Sequence, residues 1–396
     1  MYRRILVPVD NSGPSDEATR LAADWAQRMG STVIGFHVYA ARLHEGRFRQ
    51  MEPGLPDKYQ DPEELQHQRE VHETLISEGL RIISDSYLDQ AEQVCRDMEV
   101  PFKRQLAEGQ NYVEILREID RDDYDLVSLG ALGLGAKRRS LIGSVSERVL
   151  RRSAIDVMLV RAGLSESCGV MVAIDGSLNS FKALDTALGL GRAMEQPVEV
   201  VSVFDPQFHI TAFRGISKVL SEEGAKLFRL DEQEKLHEEV IDKGLEKLYR
   251  GHLETAARMA EAVGQPIQTT LLRGKPFQRI LDHIGKQKPS LLIVGRYGLH
   301  QTEWADIGST SENLARLARC SVLTVSGELA PELGPPSQVQ TLPDIRWTKQ
   351  AEAGLQKVPS FARGMAKQAI EEYARANGYE EVTPEVLVKA RERMGM

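Results

Sequence analysis

Two glycine clusters share the spacing Gly-x2-Gly-x9-Gly-Ser: Gly130, Gly133, Gly143 and Ser144, then Gly295, Gly298, Gly308 and Ser309. Glycine lets main-chain N–H groups approach an anion closely. A helix starting just after the last glycine adds unpaired donors and the positive end of its dipole. The chemistry on offer is the holding of phosphate. The candidate contacts are Gly143, Ser144, Val145 and Ser146 in the first cluster, and Gly308, Ser309, Thr310 and Ser311 in the second. Hydroxyls at Ser144, Ser146, Ser309 and Ser311 are further donors. One Gly-x2-Gly reads most simply as a tight turn; two complete copies in the same setting favour a phosphate cradle. Asp10 and Asp175 each end an apolar run. An acid there suits a sugar hydroxyl or an amine, or else an Asx-type cap on the next turn. Its recurrence favours ligand contact.

The nine residues between the second and third glycines differ in charge. The first copy carries Lys137, Arg138 and Arg139, and the second Glu303 and Asp306. Arg138 therefore joins the candidate phosphate contacts, and the first site is expected to bind a polyphosphate more tightly, by about 1–2 kcal/mol. Arg273 and Lys275, after the third strand of the second copy, work against that contrast.

No catalytic constellation accompanies these loops. The sequence has no Gly-x4-Gly-Lys-(Ser/Thr), no Gly-x-Ser-x-Gly and no Ser-Gly-Gly-x-Asp-Ser. His67, Glu70, His72 and Glu73 have the residue types of a metal site, but i and i+5 do not share a helix face, so a solvated helix is the better reading. His237-Glu-Glu reads the same way. The expected catalytic and metal-ligating sets are both empty.

The elements that must position the glycines occur twice. Ile5–Asp10 returns as Val170–Asp175, Gly130–Gly133 as Gly295–Gly298, Gly143–Glu147 as Gly308–Glu312, and Met158–Val160 as Leu323–Val325. Every pair lies 165 positions apart, so residues 1–163 and 168–327 read as two copies of one domain. In the first copy, strands are expected at Arg4–Val9, Thr32–Tyr39, Pro101–Leu106, Asp125–Gly130 and Ile155–Arg161. Helices follow Ser12 and Ser15 as far as Gly30, and cover Tyr112–Arg121 and Ser144–Arg152. The second copy repeats the strands at Gly169–Asp175, Val198–Phe204, Ile267–Leu272, Leu291–Gly295 and Ser321–Ser326. Alternating strands and helices imply an α/β class with two tandem open parallel sheets flanked by helices.

Both copies carry a charged, helical insert after the second strand, about residues 40–95 and 205–260, expected to pack on the other copy or on a second subunit. Residues 328–345, rich in Pro, Gly, Ser and Gln, read as a linker. Residues 346–396 read as a small all-α segment. Ser360–Asn377 forms one amphipathic helix, and Thr383-Pro384 opens another. Two helices bury little alone, so a docking partner is expected.

Of 396 residues, 41% are apolar, which excludes wholesale disorder, and 58 acids against 50 bases argue against a nucleic-acid or anionic-membrane binder. Cys95, Cys168 and Cys320 form no paired framework, as suits a reducing compartment. Asp10 interrupts any signal-peptide core, and no apolar run approaches a bilayer span, so a cytoplasmic location is expected.

The paired motifs resemble the universal stress protein family in tandem form, over roughly residues 1–326. The resemblance implies an adenine nucleotide α-hydrolase-like fold with a five-stranded parallel sheet in each copy. It places adenine between Asp10 and Val38, and between Asp175 and Val203. It lays the phosphates of ATP (or ADP or AMP) on the glycine loops, with Mg or Mn bridging them, and implies pairing of the two copies through their last strands within a homo-oligomer. Ala173 stands where the first copy has Pro8. Val358-Pro-Ser-Phe-Ala-Arg363, Ile370-Glu-Glu-Tyr-Ala374 and Val382-Thr-Pro-Glu385 resemble the C-terminal helical segment of light-independent protochlorophyllide reductase subunits. The segment lacks that enzyme's cluster-binding and catalytic parts, so the resemblance implies a module that docks on a protein partner. A nucleotide-binding stress-response regulator is the favoured function. A slow ATPase or phosphotransferase and an accessory docking factor are the alternatives.

Overall fold

The computed structural model describes residues 1–59, 61–135, 141–161, 169–206, 242–299, 306–329, 345–355, 367, 370–371, 373–374, 377–379 and 381–394. These residues form two compact units, 1–335 and 336–396.

The first unit is built on one ten-stranded sheet. The first half contributes β1 (Arg4–Pro8), β2 (Thr32–Tyr39), β3 (Phe102–Glu108), β4 (Leu126–Gly130) and β5 (Asp156–Val160). The second half contributes β6 (Val170–Ile174), β7 (Val198–Phe204), β8 (Ile267–Arg273), β9 (Leu291–Gly295) and β10 (Ser321–Val325). The order is β3-β2-β1-β4-β5-β10-β9-β6-β7-β8. Pairing is parallel within each half, and β5 meets β10 antiparallel, with Leu159 opposite Val322 and Met158 opposite Leu323. The two expected five-stranded sets are thus present and continuous. Parallel strands covered on both faces need apolar residues throughout, and β9 and β10 are buried at every position.

One face of the sheet is covered by α1 (Gly13–Met29), α3 (Pro62–Asp97), α6 (Leu178–Ala193) and α7 (Asp242–Ala262). The other is covered by α4 (Asn111–Arg121), α5 (Ser144–Arg152), α8 (Pro276–Gln287) and α9 (Ser309–Leu317). Each core runs unbroken through both halves. Ser12 caps α1 by accepting the Ser15 N–H, and Gly30 ends it in the left-handed conformation.

The first insert is shorter than expected. Helix α3 is 36 residues long, and its buried residues Ser84, Leu88, Ala91 and Cys95 all lie in its C-terminal part. That part is the ordinary crossover helix between β2 and β3. The excess is a hairpin in which α2 (Ala41–Met51) packs on α3. Phe48 stacks on His72 at 4.2 Å, and Arg69 donates to Glu52 through two nitrogens at 2.7 and 2.6 Å. Residues 207–241 of the second insert lie outside the described residues, while Leu253, Ala256 and Ala260 of α7 sit in the core.

The second unit contains β11 (Arg346–Trp347), α10 (Lys349–Leu355), β12 (Glu381–Val382) and α11 (Pro384–Met394). Most of the expected Ser360–Asn377 helix lies outside the described residues. The unit has a small core of Ala351, Leu355, Ile370, Ala374, Val382, Val386 and Ala390. A parallel β11–β12 pair, which the all-α reading omits, braces it. Among the described residues no helix is long and apolar enough to cross a membrane.

Candidate functional site

Within the first half, chain order reverses between β1 and β4, so their carboxyl ends diverge into a crevice. Asp10 follows β1 and Gly130 ends β4. The Ser12 N–H and hydroxyl donate to Asp10 Oδ1 at 3.1 and 2.6 Å, and the Leu134 N–H donates to Oδ2 at 3.1 Å. The carboxylate therefore makes the Asx-type turn and also fastens the glycine loop to the end of β1. A Cβ on Gly133 would lie 2.4 Å from Asp10 Oδ2, and one on Gly130 would lie 2.8 Å from the Pro14 and Ser15 backbone. Both glycines are needed for close approach. Gly143 instead closes the loop, its N–H donating to the Ala131 carbonyl at 2.7 Å.

Helix α5 starts at Ser144, and its cap, Gly143, offers no side-chain acceptor. The first N–H groups of such a helix have no intrahelical partner. Ser144 is exposed. Ser146 is buried, and its hydroxyl donates to the Gly130 carbonyl at 2.8 Å. This corrects the donor role that sequence reading gives it: its proton holds helix to strand.

Asp10, Val38, Gly130, Gly133, Gly143, Ser144, Val145 and Ser146 all line one cavity of about 630 Å³. Residues 136–140 lie outside the described residues, and Arg138 with them. Sequence reading missed His37, Tyr87 and Glu147, which also line the cavity. His37 Nδ1 lies 2.9 Å from the Ser84 hydroxyl, and Tyr87 meets the imidazole edge-on at 5.2 Å. Burial holds the imidazole below its ordinary pKa, opposed by the Asp10 charge. His37 falls on a strand position that alternation alone marks as structural, and Tyr87 on the helix taken for an insert.

The second half repeats the joint. The Ser177 N–H and hydroxyl donate to Asp175 Oδ1 at 3.0 and 2.6 Å, and the Leu299 N–H to Oδ2 at 3.0 Å. Gly298 approaches Asp175 as Gly133 approaches Asp10, and Gly295 lies against the Asn179 and Ser180 backbone. The Gly308 N–H donates to the Arg296 carbonyl at 2.9 Å, and Ser311 donates to the Gly295 carbonyl at 2.7 Å. Ser309 is exposed at the start of α9, Thr310 follows it, and Val203 is buried near the end of β7.

The second crevice differs at the end away from its glycine loop. Ser202 replaces His37 and bonds the Ile174 carbonyl at 2.9 Å, while His252 replaces Tyr87. The His252 ring lies on Gly176, where a Cβ would come within 2.4 Å of it, and its Nδ1 is buried without a hydrogen-bond partner among the described residues. Burial lowers the His252 pKa against the pull of Asp175. Of the two acids in the second loop, Glu303 lies outside the described residues; the Asp306 carbonyl accepts from Arg296 Nε at 3.1 Å.

The sequence profile of the universal stress protein family matches residues 1–161 and again 169–326. The chain belongs to the universal stress protein family. The universal stress protein YxiE of Bacillus subtilis is 31% identical over 157 residues, which span 39% of this chain and 97% of YxiE. A universal stress protein structure from Archaeoglobus fulgidus covers 82% of the chain and 98% of its own, with a TM-score of 0.54 at 17% identity, a likeness of fold. Residues 347–391 match the profile of the proto-chlorophyllide reductase 57 kD subunit. A light-independent protochlorophyllide reductase subunit from Picosynechococcus is 48% identical over 52 residues. That match spans 13% of this chain and 10% of the reductase subunit. The tandem universal stress domains thus precede a segment shared with a reductase subunit.

Proposed function

We propose that this stress-response protein binds an adenine nucleotide, ATP or its ADP or AMP products, in the crevice of each universal stress half, and that occupancy regulates it. The observation that carries the reading is the first cavity. Its 630 Å³ falls within the roughly 300–1,000 Å³ range of small-molecule sites. One end is apolar and aromatic, with Val38, Phe36 and His37; the other is the glycine loop and the start of α5. That polarity suits a base at one end and phosphates at the other. Asp10 keeps acceptor capacity beyond the bonds it already makes, enough for one ribose or amine donor. The exposed Ser144 hydroxyl and the N–H groups of Ser144, Val145 and Ser146 lie at the proposed phosphate end. Mg or Mn would enter as the nucleotide's counterion, and the exposed Ser144 hydroxyl is the protein group that would join in holding it.

No side chain described at the cavity is a free general base beside the phosphate end: Asp10 holds the loop, and Glu147 is ion-paired to Arg151 and Arg316. A binding role therefore ranks ahead of ATP hydrolysis. The reading includes a cytoplasmic location and a homo-oligomer. The reductase-like segment, with its own core, favours one further role: docking on a protein partner.

Calorimetric titration of ATP into the full chain tests the reading. Saturable binding that weakens when Gly143 is replaced supports it. Absence of binding overturns it, and steady phosphate release abolished by the same change moves the protein to the hydrolase class.

A further inference from the structure

Glu147 stands in the wall of the first cavity, in the first turn of α5, three residues after Ser144. A carboxylate there opposes any anion seated on that helix terminus. It does not stand alone. Arg316 of α9, in the second half, is ion-paired with it, and Arg151 lies 3.6 Å away on its own helix. The arrangement recurs in the other direction. Glu312, in the first turn of α9, is ion-paired with Arg151 of the first half and lies 3.2 Å from Arg316. Glu147 and Glu312, and Arg151 and Arg316, are related by the 165-residue repeat. The four side chains keep 27–37% of their surface exposed, so water screens the ring only in part.

We propose that Arg316 and Arg151 are positioning residues acting across the seam: each neutralises the glutamate at the opposite half's phosphate helix and so admits a polyphosphate there. The inference rests on the nucleotide reading above and deepens it. It makes each crevice electrostatically dependent on the other half, and it makes discrimination depend on phosphate number. Removing Arg316 leaves Glu147 less compensated, and repulsion then grows with ligand charge. ATP suffers most and AMP least.

The test titrates ATP, ADP and AMP into the full chain and into Arg316→Ala, Arg316→Lys and Glu147→Gln/Arg316→Ala. For the tightest site, Arg316→Ala is expected to weaken ATP about fivefold and AMP less than twofold, as for a partly exposed pair. Arg316→Lys and the double variant are expected to bind ATP within about twofold of the parent. A purely structural arginine would weaken ATP and AMP alike and would not be rescued by Glu147→Gln; either result overturns the inference. If Arg316→Ala does not fold, ATP binding by the lysine and double variants decides on the same terms. Parent protein that binds none of the three overturns the nucleotide reading and this inference together. Parent protein that binds ATP, with Arg316→Ala unchanged, overturns this inference alone.

Discussion

Arg296 donates to the Ser153 carbonyl across the seam between the two halves. The same guanidinium reaches the Arg151 carbonyl, and its Nε bonds the Asp306 carbonyl at 3.1 Å. Arg296 sits between Gly295 and Gly298, so the second glycine loop is tied to the C-terminal end of α5. Arg161 answers it by donating to the Ala315 carbonyl at 2.6 Å and to Arg316 and Cys320 at 3.3 Å, at and just beyond the end of α9. Each half thus sends an arginine to the negative end of the helix whose positive end faces the other half's crevice.

Arg296 is 5% exposed, and replacing it with Met leaves carbonyls at the seam without donors. The expected cost is about 2–4 kcal/mol in urea unfolding. Arg296→Lys is expected to recover only part, because an ammonium cannot reproduce the planar fork. A loss below about 0.5 kcal/mol for Arg296→Met would show that these bonds contribute little.

The glycines are expected to separate by role. Gly130→Ala and Gly133→Ala force contacts of 2.8 and 2.4 Å, whereas the nearest neighbour of a Gly143 Cβ is at 3.4 Å. The first two are expected to cost about 1–3 kcal/mol each. Gly143→Ala is expected to cost less than about 1 kcal/mol while still weakening ATP. Thermal melts with and without nucleotide read both effects; equal destabilisation by all three would remove the distinction.

Much of this was legible from residue types alone. Two structures cut from one pattern leave matching marks, and the offset linking Asp10 to Asp175 and Gly143 to Gly308 fixed the repeat, the strand positions and the crevice. The use made of each polar atom was not legible. Nothing in the spacing says that Ser146 spends its proton on Gly130, or that both carboxyl oxygens of Asp10 are engaged by the turn and loop. Arg296 was equally hidden. Its partners across the seam lie 143 and 145 positions away, and the first copy has Ala131 at the equivalent place. The insert was overestimated because charge on one face of α3 conceals the burial of Leu88 and Ala91 on another.

Stability is expected to fall on mild acidification. Burial lowers the folded-state pKa of His37 and His252, so the unfolded chain takes up protons first. Their contribution is complete above the ordinary histidine pKa and is lost as pH falls through the lower folded values. The slope is at most about 1.4 kcal/mol per pH unit for each histidine. Asp156 has the opposite sign: burial raises its pKa, so its contribution is present at acid pH and declines as pH rises through the folded value. Urea unfolding between pH 7 and 5 is expected to show the histidine slope, reduced in His37→Gln. An unchanged slope in that variant would contradict the assignment.

Both cores cross the β5–β10 seam, so the two universal stress halves are expected to melt together. Calorimetry of Leu159→Asp, at a position with no exposure, is expected to lower one shared transition. Two separate transitions, only one of them shifted, would contradict that coupling.

The central claim is that the first crevice holds an adenine nucleotide. A crystal structure of the full chain grown with ATP and Mg tests it most directly. Electron density for a base beside Val38 and His37, with phosphates at Ser144–Ser146, is the expected result. An empty cavity at saturating ATP, or nucleotide bound only elsewhere, would contradict it.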